Sequence, residues 1–183
     1  MIDELLAEAK QKMDQAIAHT IDEFGTVRTG RANPGILNRI TVDYYGTQTP
    51  LQQIAGFAVP EARMLLVTPY DKTSIQAIEK AIMSADLGLN PSNDGNIIRL
   101  VFPQLTEERR KDLIRLVRHL AEDGRIAIRN VRRHIKDDIE SLEGDVSEDD
   151  VRRAEKLLQE MTDRHVHKID ELLGKKEEEL LEV

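Results

Sequence analysis

Apolar residues recur every three or four positions over the first 27 residues of the chain, with Ile2, Met13 and Phe24 among them. This spacing places them along one face of an α-helix. The segment 28–35 contains two glycines and a proline, which do not continue a helix. The sequence therefore predicts one amphipathic helix of about 26 residues that ends before residue 28.

The periodicity changes between residues 36 and 105. Three runs of β-branched and apolar residues there have strand length and are bounded by turn residues. They span 40–45, 63–68 and 96–102. Residues 73–76, Thr-Ser-Ile-Gln, have the pattern of a capping box and predict the start of a short helix that stops at Gly88. We expect a small β/α/β module of about 70 residues here.

Helical spacing returns after residue 105 and continues to the end of the chain. Thr106 is the predicted N-cap of one long helix, and Ser147 begins another. Three long helices that are each apolar on one side bury those sides against one another. We therefore predict an α+β fold: a long antiparallel three-helix bundle of residues 1–29 and 106–183, into which residues 30–105 are inserted as the β/α/β domain.

The chain crosses between these two domains twice, at segments that contain Gly or Pro. Such segments are typical of a hinge. The predicted hinge residues are Thr29, Gly30, Arg31, Pro103, Gln104 and Leu105. A single rigid domain with a long surface insertion is the alternative that the pattern leaves open.

Composition limits the class of protein. Of the 183 residues, 40% are hydrophobic, 33% are charged, only 3% are aromatic and none is cysteine. No stretch approaches the ~20 apolar residues of a membrane-spanning helix. The acidic start of the chain resembles neither a secretory signal nor a transit peptide. We expect a cytoplasmic, helix-rich protein without disulfides.

The net charge of −8 conceals a basic segment. Residues 109–133 contain eight Arg and one Lys against three acidic residues, a local charge of +6. In a helix, basic residues collect on one side here and apolar residues on the opposite side. The basic set, which we call the basic stripe, is Lys111, Arg115, Arg118, Arg125, Arg129, Arg132, Arg133 and Lys136.

The basic stripe predicts RNA as a partner. A planar guanidinium binds phosphate in a bidentate manner, and the scarcity of aromatic residues disfavours base stacking. We therefore expect a structured RNA that is recognised by shape and phosphate. The alternative interpretation is a solvated face whose arginines pair with nearby acids, but the acidic residues cluster elsewhere, at 137–150 and 177–182.

The sequence lacks the motifs of common catalytic sites. It contains no phosphate-binding P-loop, no Gly-x-Ser-x-Gly elbow and no His-Glu-x-x-His pair. His165 and His167 are two positions apart, on different sides of a helix, and so do not form a metal-binding pair. We expect no catalytic activity, no metal site and no cofactor.

Six short segments together resemble the ribosome recycling factor family. They are Arg28–Pro34 (RTGRANP), Asp43–Leu51 (DYYGTQTPL), Glu79–Ile82 (EKAI), Asp86–Pro91 (DLGLNP), Leu105–Lys111 (LTEERRK) and Ala127–Arg133 (AIRNVRR). They stand in the order and at the spacing of that family. One departure is Gln104 after Pro103, where the family commonly has a second proline.

The resemblance implies an L-shaped protein whose bundle and small domain are joined by a flexible two-strand hinge. It implies binding to the post-termination ribosome, with the bundle on RNA of the large subunit. Together with the GTP-bound form of elongation factor G, the protein would promote subunit dissociation and release of messenger and transfer RNA. We expect a monomer with neither DNA nor a membrane as partner; a helical scaffold or chaperone-like protein-interaction module is the alternative function.

The family motifs imply RNA contacts at Arg132, Arg129, Arg110 and Arg28. The helical pattern independently places Arg129 and Arg132 on the basic stripe, whereas it projects Arg110 toward the apolar side. With the rest of the stripe, the predicted RNA-binding residues are Arg132, Arg129, Arg110, Arg28, Arg133, Arg125, Arg118 and Arg115.

Overall fold

The computed structural model describes residues 1–182. Its α-helices are α1 (Ile2–Gly25), α2 (Leu51–Ile54), α3 (Ile75–Ser84), α4 (Glu107–Glu140) and α5 (Glu148–Leu181). Its strands are β1 (Thr41–Tyr44), β2 (Thr47–Pro50), β3 (Ala55–Glu61), β4 (Met64–Pro69), β5 (Pro91–Asn93) and β6 (Ile98–Val101). Long helices on both sides of a strand-rich segment confirm the predicted α+β class.

Contacts between Cα atoms divide the chain into two compact units. The first consists of Met1–Phe24 and Ile114–Glu178, and the second of Gly25–Leu113 with the chain from Glu179 onward. These limits lie five residues before and eight residues after the predicted ones at 29/30 and 105/106, and the chain from Glu179 onward groups with the second unit instead of the first. A continuous helix such as α4 carries no sequence signal where its packing partners change. The division into functional domains, 1–29 with 106–183 and 30–105, stays a prediction.

The first unit is a bundle of α1, α4 and α5. Arg118 pairs with Glu177, and Arg125 pairs with Asp170. Moving seven residues forward along α4 therefore moves seven residues back along α5, as only antiparallel helices allow. The buried core of the bundle includes Ala9, Met13, Val117, Ala121, Ile128, Ile135, Leu158 and Ile169.

The two longest helices begin at the predicted capping residues. Thr106 Oγ1 accepts a hydrogen bond from the backbone N–H of Arg109 at 3.1 Å, and Ser147 Oγ accepts one from the backbone N–H of Asp150 at 3.2 Å. These bonds satisfy N–H groups that have no partner within the first helical turn. The predictions for Thr106 and Ser147 are confirmed.

The second unit contains a four-stranded antiparallel sheet in the order β3-β4-β6-β5. β1 and β2 form a separate hairpin, and α3 contacts β1 and β5. The core includes Leu37, Val42, Leu51, Leu65, Val67, Ile78, Ile82, Ile98, Leu100 and Phe102. The three predicted strands are confirmed, as β1, β4 and β6, with ends within two residues of the predicted ones.

Two strands of this sheet, β3 and β5, are not among the predicted ones. β3 contains Gly56 and Pro60, two residues that are unfavourable in the interior of a strand. β3 lies at the edge of the sheet, where a residue without an N–H group is tolerated. Tertiary pairing with β4 therefore overrides the weak local preference of this segment.

The predicted capping box at residues 73–76 is wrong. The Asp71 carboxylate accepts hydrogen bonds from the N–H and the hydroxyl of Thr73, at 2.9 and 2.7 Å. This cap begins a short 3₁₀ turn, Lys72–Ser74, that leads into α3. The predicted stop at Gly88 is also wrong, because α3 ends at Ser84.

Gly124 allows α1, α4 and α5 to approach closely. A Cβ atom at this position of α4 would lie 2.4 Å from Thr20 Oγ1 of α1 and 2.8 Å from Ile169 Cδ1 of α5. Thr20 and Ile169 are both buried, so neither side chain can move into solvent. The low helix propensity of glycine is thus offset by packing at the centre of the bundle.

We predict that Gly124→Ala destabilises the protein although alanine favours helix. Overpacking costs about 1–3 kcal/mol, against a propensity gain of ~1 kcal/mol. Gly174→Ala is the matched control, because a Cβ at Gly174 of α5 has no atom within 4 Å; it should raise the free energy of unfolding. Urea denaturation measures both. Equal stabilisation by the two substitutions would contradict the packing role of Gly124.

Candidate nucleic-acid interface

Part of the basic stripe borders the side of α4 that faces the bundle core. Ile128 is fully buried. At 100° per residue, Arg132 and Arg125 project only about 40° and 60° from it. The side chain of Arg125 is accordingly only 17% exposed. The prediction that the basic and apolar sides oppose each other is therefore wrong for these two arginines.

Arg125 connects α4 to α5. Its Nη2 atom lies 2.6 Å from the Asp170 carboxylate, and its Nη1 atom lies 3.1 Å from Glu122 Oε2. The second carboxylate oxygen of Glu122 lies 3.1 Å from Arg129 Nη1. Two arginines and two acids thus neutralise one another at the middle of the stripe.

Other members of the stripe also have partners. Arg118 Nε lies 2.5 Å from Glu177 Oε1 of α5, and Arg115 has an interaction partner as well. The two lysines pair along their own helix, Lys111 with Glu107 at 3.0 Å and Lys136 with Glu140 at 3.1 Å. The expectation that the acids lie away from the stripe is wrong here, because antiparallel packing brings distant residues of α5 beside α4.

Arg132 and Arg133 differ from the rest of the stripe. Within residues 1–182, no hydrogen bond or ion pair engages either guanidinium group. Arg133 is exposed, and Arg132 is half-buried. The uncompensated positive charge of the stripe is therefore concentrated toward the C-terminal part of α4.

The sequence does not single out two basic residues of α5 that share a groove with Arg132. Arg152 and Lys156 line this groove together with Arg132 and Lys136. They are separated by one helical turn, which places them on the same side of α5. Residues 146–183 carry seven basic and twelve acidic side chains, and this acidic total conceals the pair.

Arg28 and Arg110 belong to the second unit. Arg28 Nη1 donates hydrogen bonds to the backbone carbonyls of Leu87 and Gly88, at 3.2 and 3.3 Å. Arg28 therefore fixes the segment after α3. Arg110 is half-buried and lines a cavity of about 390 Å³.

Three of the predicted hinge residues pack together in the second unit. Thr29 and Leu105 are buried. Gly30 has a φ of +78°, a conformation that residues with a Cβ rarely adopt. A Cβ there would lie 3.4 Å from Leu105 Cγ. The torsion therefore favours glycine at position 30, while a Cβ there would make only an ordinary van der Waals contact with Leu105.

The other predicted hinge residues are more accessible. Arg31, Pro103 and Gln104 are exposed. Arg31 Nη2 lies 2.6 Å from Glu182 Oε2, and Arg31 and Gln104 line the same cavity as Arg110. Whether these six residues act as a hinge stays a prediction.

Two features are absent from residues 1–182, a metal-binding cluster and a helix that could span a membrane. Among residues 1–182, no three His, Cys, Asp or Glu side chains are arranged to hold a metal ion. No helix in this part of the chain is both long and apolar enough to cross a membrane. His165, one of the two closely spaced histidines of α5, contacts α1: its Nε2 atom lies 2.8 Å from the Asp14 carboxylate.

We predict a pH-dependent contribution of Glu122 to stability. Two hydrogen bonds hold the pKa of Glu122 below its ordinary value of 4.5; the one from Arg125 has the larger effect, and the one from Arg129 follows. The contribution is therefore present above pH 4.5 and is lost as the pH falls through the lowered pKa. Because the side chains of Glu122 and Arg129 are each nearly half exposed, this contribution should not exceed about 1 kcal/mol.

The measurement compares urea unfolding of the unmodified protein and Glu122→Gln at neutral and acidic pH. The difference in unfolding free energy should be present at pH 7 and shrink in acid, where the carboxyl is protonated. Glu160→Gln is the control, since Glu160 is exposed on α5 and should show no such difference. A Glu122→Gln effect that is unchanged in acid would contradict the ion-pair role.

Comparisons with known proteins agree along the whole chain. The family model described as ribosome recycling factor matches residues 20–181. The ribosome-recycling factor of Acidothermus cellulolyticus is 56% identical and that of Frankia alni 53% identical, each over 185 residues with 100% of both chains covered.

Two solved structures are similar to this chain. A solution structure of the ribosome recycling factor is 40% identical with a TM-score of 0.82, covering 100% of this chain and 98% of the other. A structure of the T. thermophilus ribosome recycling factor, with E. coli elongation factor G bound to the E. coli post-termination complex, is 46% identical with a TM-score of 0.73, covering 100% of each chain.

The match extends beyond the six segments that first indicated it. Sequence identity above one half covers the full chain, and the fold is that of the solved relatives. The predicted resemblance is therefore confirmed. This chain belongs to the ribosome recycling factor family.

Proposed function

We propose that this chain binds the post-termination ribosome and, with elongation factor G and GTP, separates the subunits and releases messenger and transfer RNA. Its membership of the ribosome recycling factor family supports ribosome recycling as the function. A similar solved protein is bound, together with elongation factor G, to a post-termination complex. Both partners are thus carried over from a relative that covers the entire chain.

The observation that carries RNA binding is the pair of unengaged guanidinium groups at Arg132 and Arg133. No acid within residues 1–182 neutralises either charge, so an anion that binds beside these side chains would be stabilised. Ribosomal RNA supplies closely spaced phosphates, and arginine binds phosphate through two parallel hydrogen bonds. We therefore infer that the bundle contacts RNA of the large subunit at this end of the stripe.

The other predicted RNA-binding residues differ in whether an acidic residue of the protein already binds them. Arg118 and Arg125 are committed to acids of α5, so their role is to hold α4 against α5. Arg129 shares only Glu122, and its half-exposed guanidinium can exchange that partner for phosphate. Arg110 stays a candidate contact within the second unit.

The predicted domains act as separate parts in this proposal. The bundle of residues 1–29 and 106–183 provides RNA affinity, and the domain of residues 30–105 responds to elongation factor G. The segments at Thr29–Arg31 and Pro103–Leu105 would let one move relative to the other. The torsion at Gly30, with its φ of +78°, supports a specific backbone role for the first segment.

The protein itself would carry out no catalytic step. Recycling factors act by binding, and nucleotide hydrolysis belongs to the elongation factor in this scheme. We infer a cytoplasmic monomer without metal or cofactor. The alternative of a protein-binding scaffold predicts exposed faces of mixed charge and an oligomer, and the unpaired arginines favour RNA over that alternative.

We predict that Arg132→Ala weakens binding to post-termination ribosomes by about 1–3 kcal/mol, because one charge-assisted phosphate contact is lost. The fold should persist, since no hydrogen bond of the described chain depends on this guanidinium. Light scattering should show subunit separation only when protein, elongation factor G and GTP are all present, and it should slow with the variant.

Arg164→Ala is the matched control for this experiment. Arg164 is an exposed arginine of α5 and its removal should leave ribosome affinity within about twofold, as expected for a surface residue outside an interface. Unchanged affinity of Arg132→Ala in a folded protein would contradict the proposed RNA contact. Absence of subunit separation with a matched elongation factor would favour the scaffold alternative.

A further inference from the structure

A groove of about 450 Å³ lies between α4 and α5 in the first unit. From α4 it is lined by Arg132 and Lys136, and from α5 by Arg152 and Lys156. Glu155 is the one acidic residue among those lining it. Four basic residues and one acidic residue thus line the groove.

The four basic residues are not equally available. Lys136 lies 3.1 Å from Glu140, and Arg152 lies 3.5 Å from Glu148 on its own helix. The pKa of Lys136 is raised, mainly by the hydrogen bond with Glu140. Lys156, like Arg132, has neither a hydrogen bond nor an ion pair within residues 1–182.

The groove therefore contains an uncompensated cation on each helix. Arg132 supplies one from α4, and Lys156, which is exposed, supplies the other from α5. A guanidinium offers phosphate two parallel hydrogen bonds, and an ammonium adds a point charge. The amide of Gln159, which also lines the groove, is an uncharged donor beside them.

We propose that this groove binds one phosphate group of the ribosomal RNA backbone between Arg132 and Lys156. RNA that lies along α4 would then extend onto α5, so that the interface covers two helices of the bundle. This inference rests on the proposed function. It adds Lys156, and the neighbouring Arg152, to the RNA-binding residues.

The experiment measures the affinity of a fluorescent form of the full chain for post-termination ribosomes. The chain contains no cysteine, so Glu4→Cys at an exposed position of α1 provides a single site for the label. Lys156→Gln is compared with Lys168→Gln, which removes the same charge from the same helix outside the groove. Urea unfolding verifies that both variants are folded.

Lys156→Gln should weaken binding roughly three- to tenfold and reduce the slope of log K against log salt by about one, as expected for the loss of one phosphate contact. Lys168→Gln should change neither quantity. In the Arg132→Ala background, Lys156→Gln should weaken binding less than it does alone, because the two side chains hold the same phosphate.

Three results would overturn the inference. Equal affinities of Lys156→Gln and Lys168→Gln, while Arg132→Ala is weakened, would mean that RNA does not reach α5, and the proposed function would stand. Strict additivity of the two groove substitutions would mean that they hold separate phosphates. Undiminished binding of Arg132→Ala would overturn both this inference and the proposed RNA contact.

Discussion

Antiparallel packing of α4 against α5 is the constraint on which the rest of the structure depends. It buries the apolar side of α4 and brings Asp170 and Glu177 beside Arg125 and Arg118. Those arginines then become part of the bundle, and the uncompensated charge remains near Arg132. We propose that ion pairs with α5 determine which arginines of the basic stripe remain available to phosphate.

Close packing at the centre of the bundle also fixes the position of α4 against its neighbouring helices. Gly124 lets α1 and α5 approach α4, and the interhelical pairs of Arg118 and Arg125 fix the register of α4 on α5. In the proposed function, a closely packed bundle would hold its unpaired cations at fixed positions and so lower the entropic cost of binding a structured RNA. The second unit, by contrast, carries the segment around Gly30 whose backbone torsion suits a specific turn.

Much of this architecture could be predicted because local rules determine it. Hydrophobic spacing gives the long helices, side-chain oxygens at Thr106 and Ser147 give their starts, and β-branched runs give three strands. What could not be predicted depends on residues that are distant in the sequence. The partners of Arg125, the edge pairing of β3 and the groove containing Lys156 arise only from tertiary packing.

The most direct test of this account replaces Arg125 of α4 and measures both stability and ribosome affinity. Arg125→Ala should lower the free energy of unfolding by about 1–2 kcal/mol, because Asp170 and Glu122 lose a partly buried partner. At a temperature where the variant is folded, its ribosome affinity should stay close to that of the unmodified protein. A large loss of affinity with unchanged stability would contradict the division between arginines that hold the bundle and arginines that bind RNA.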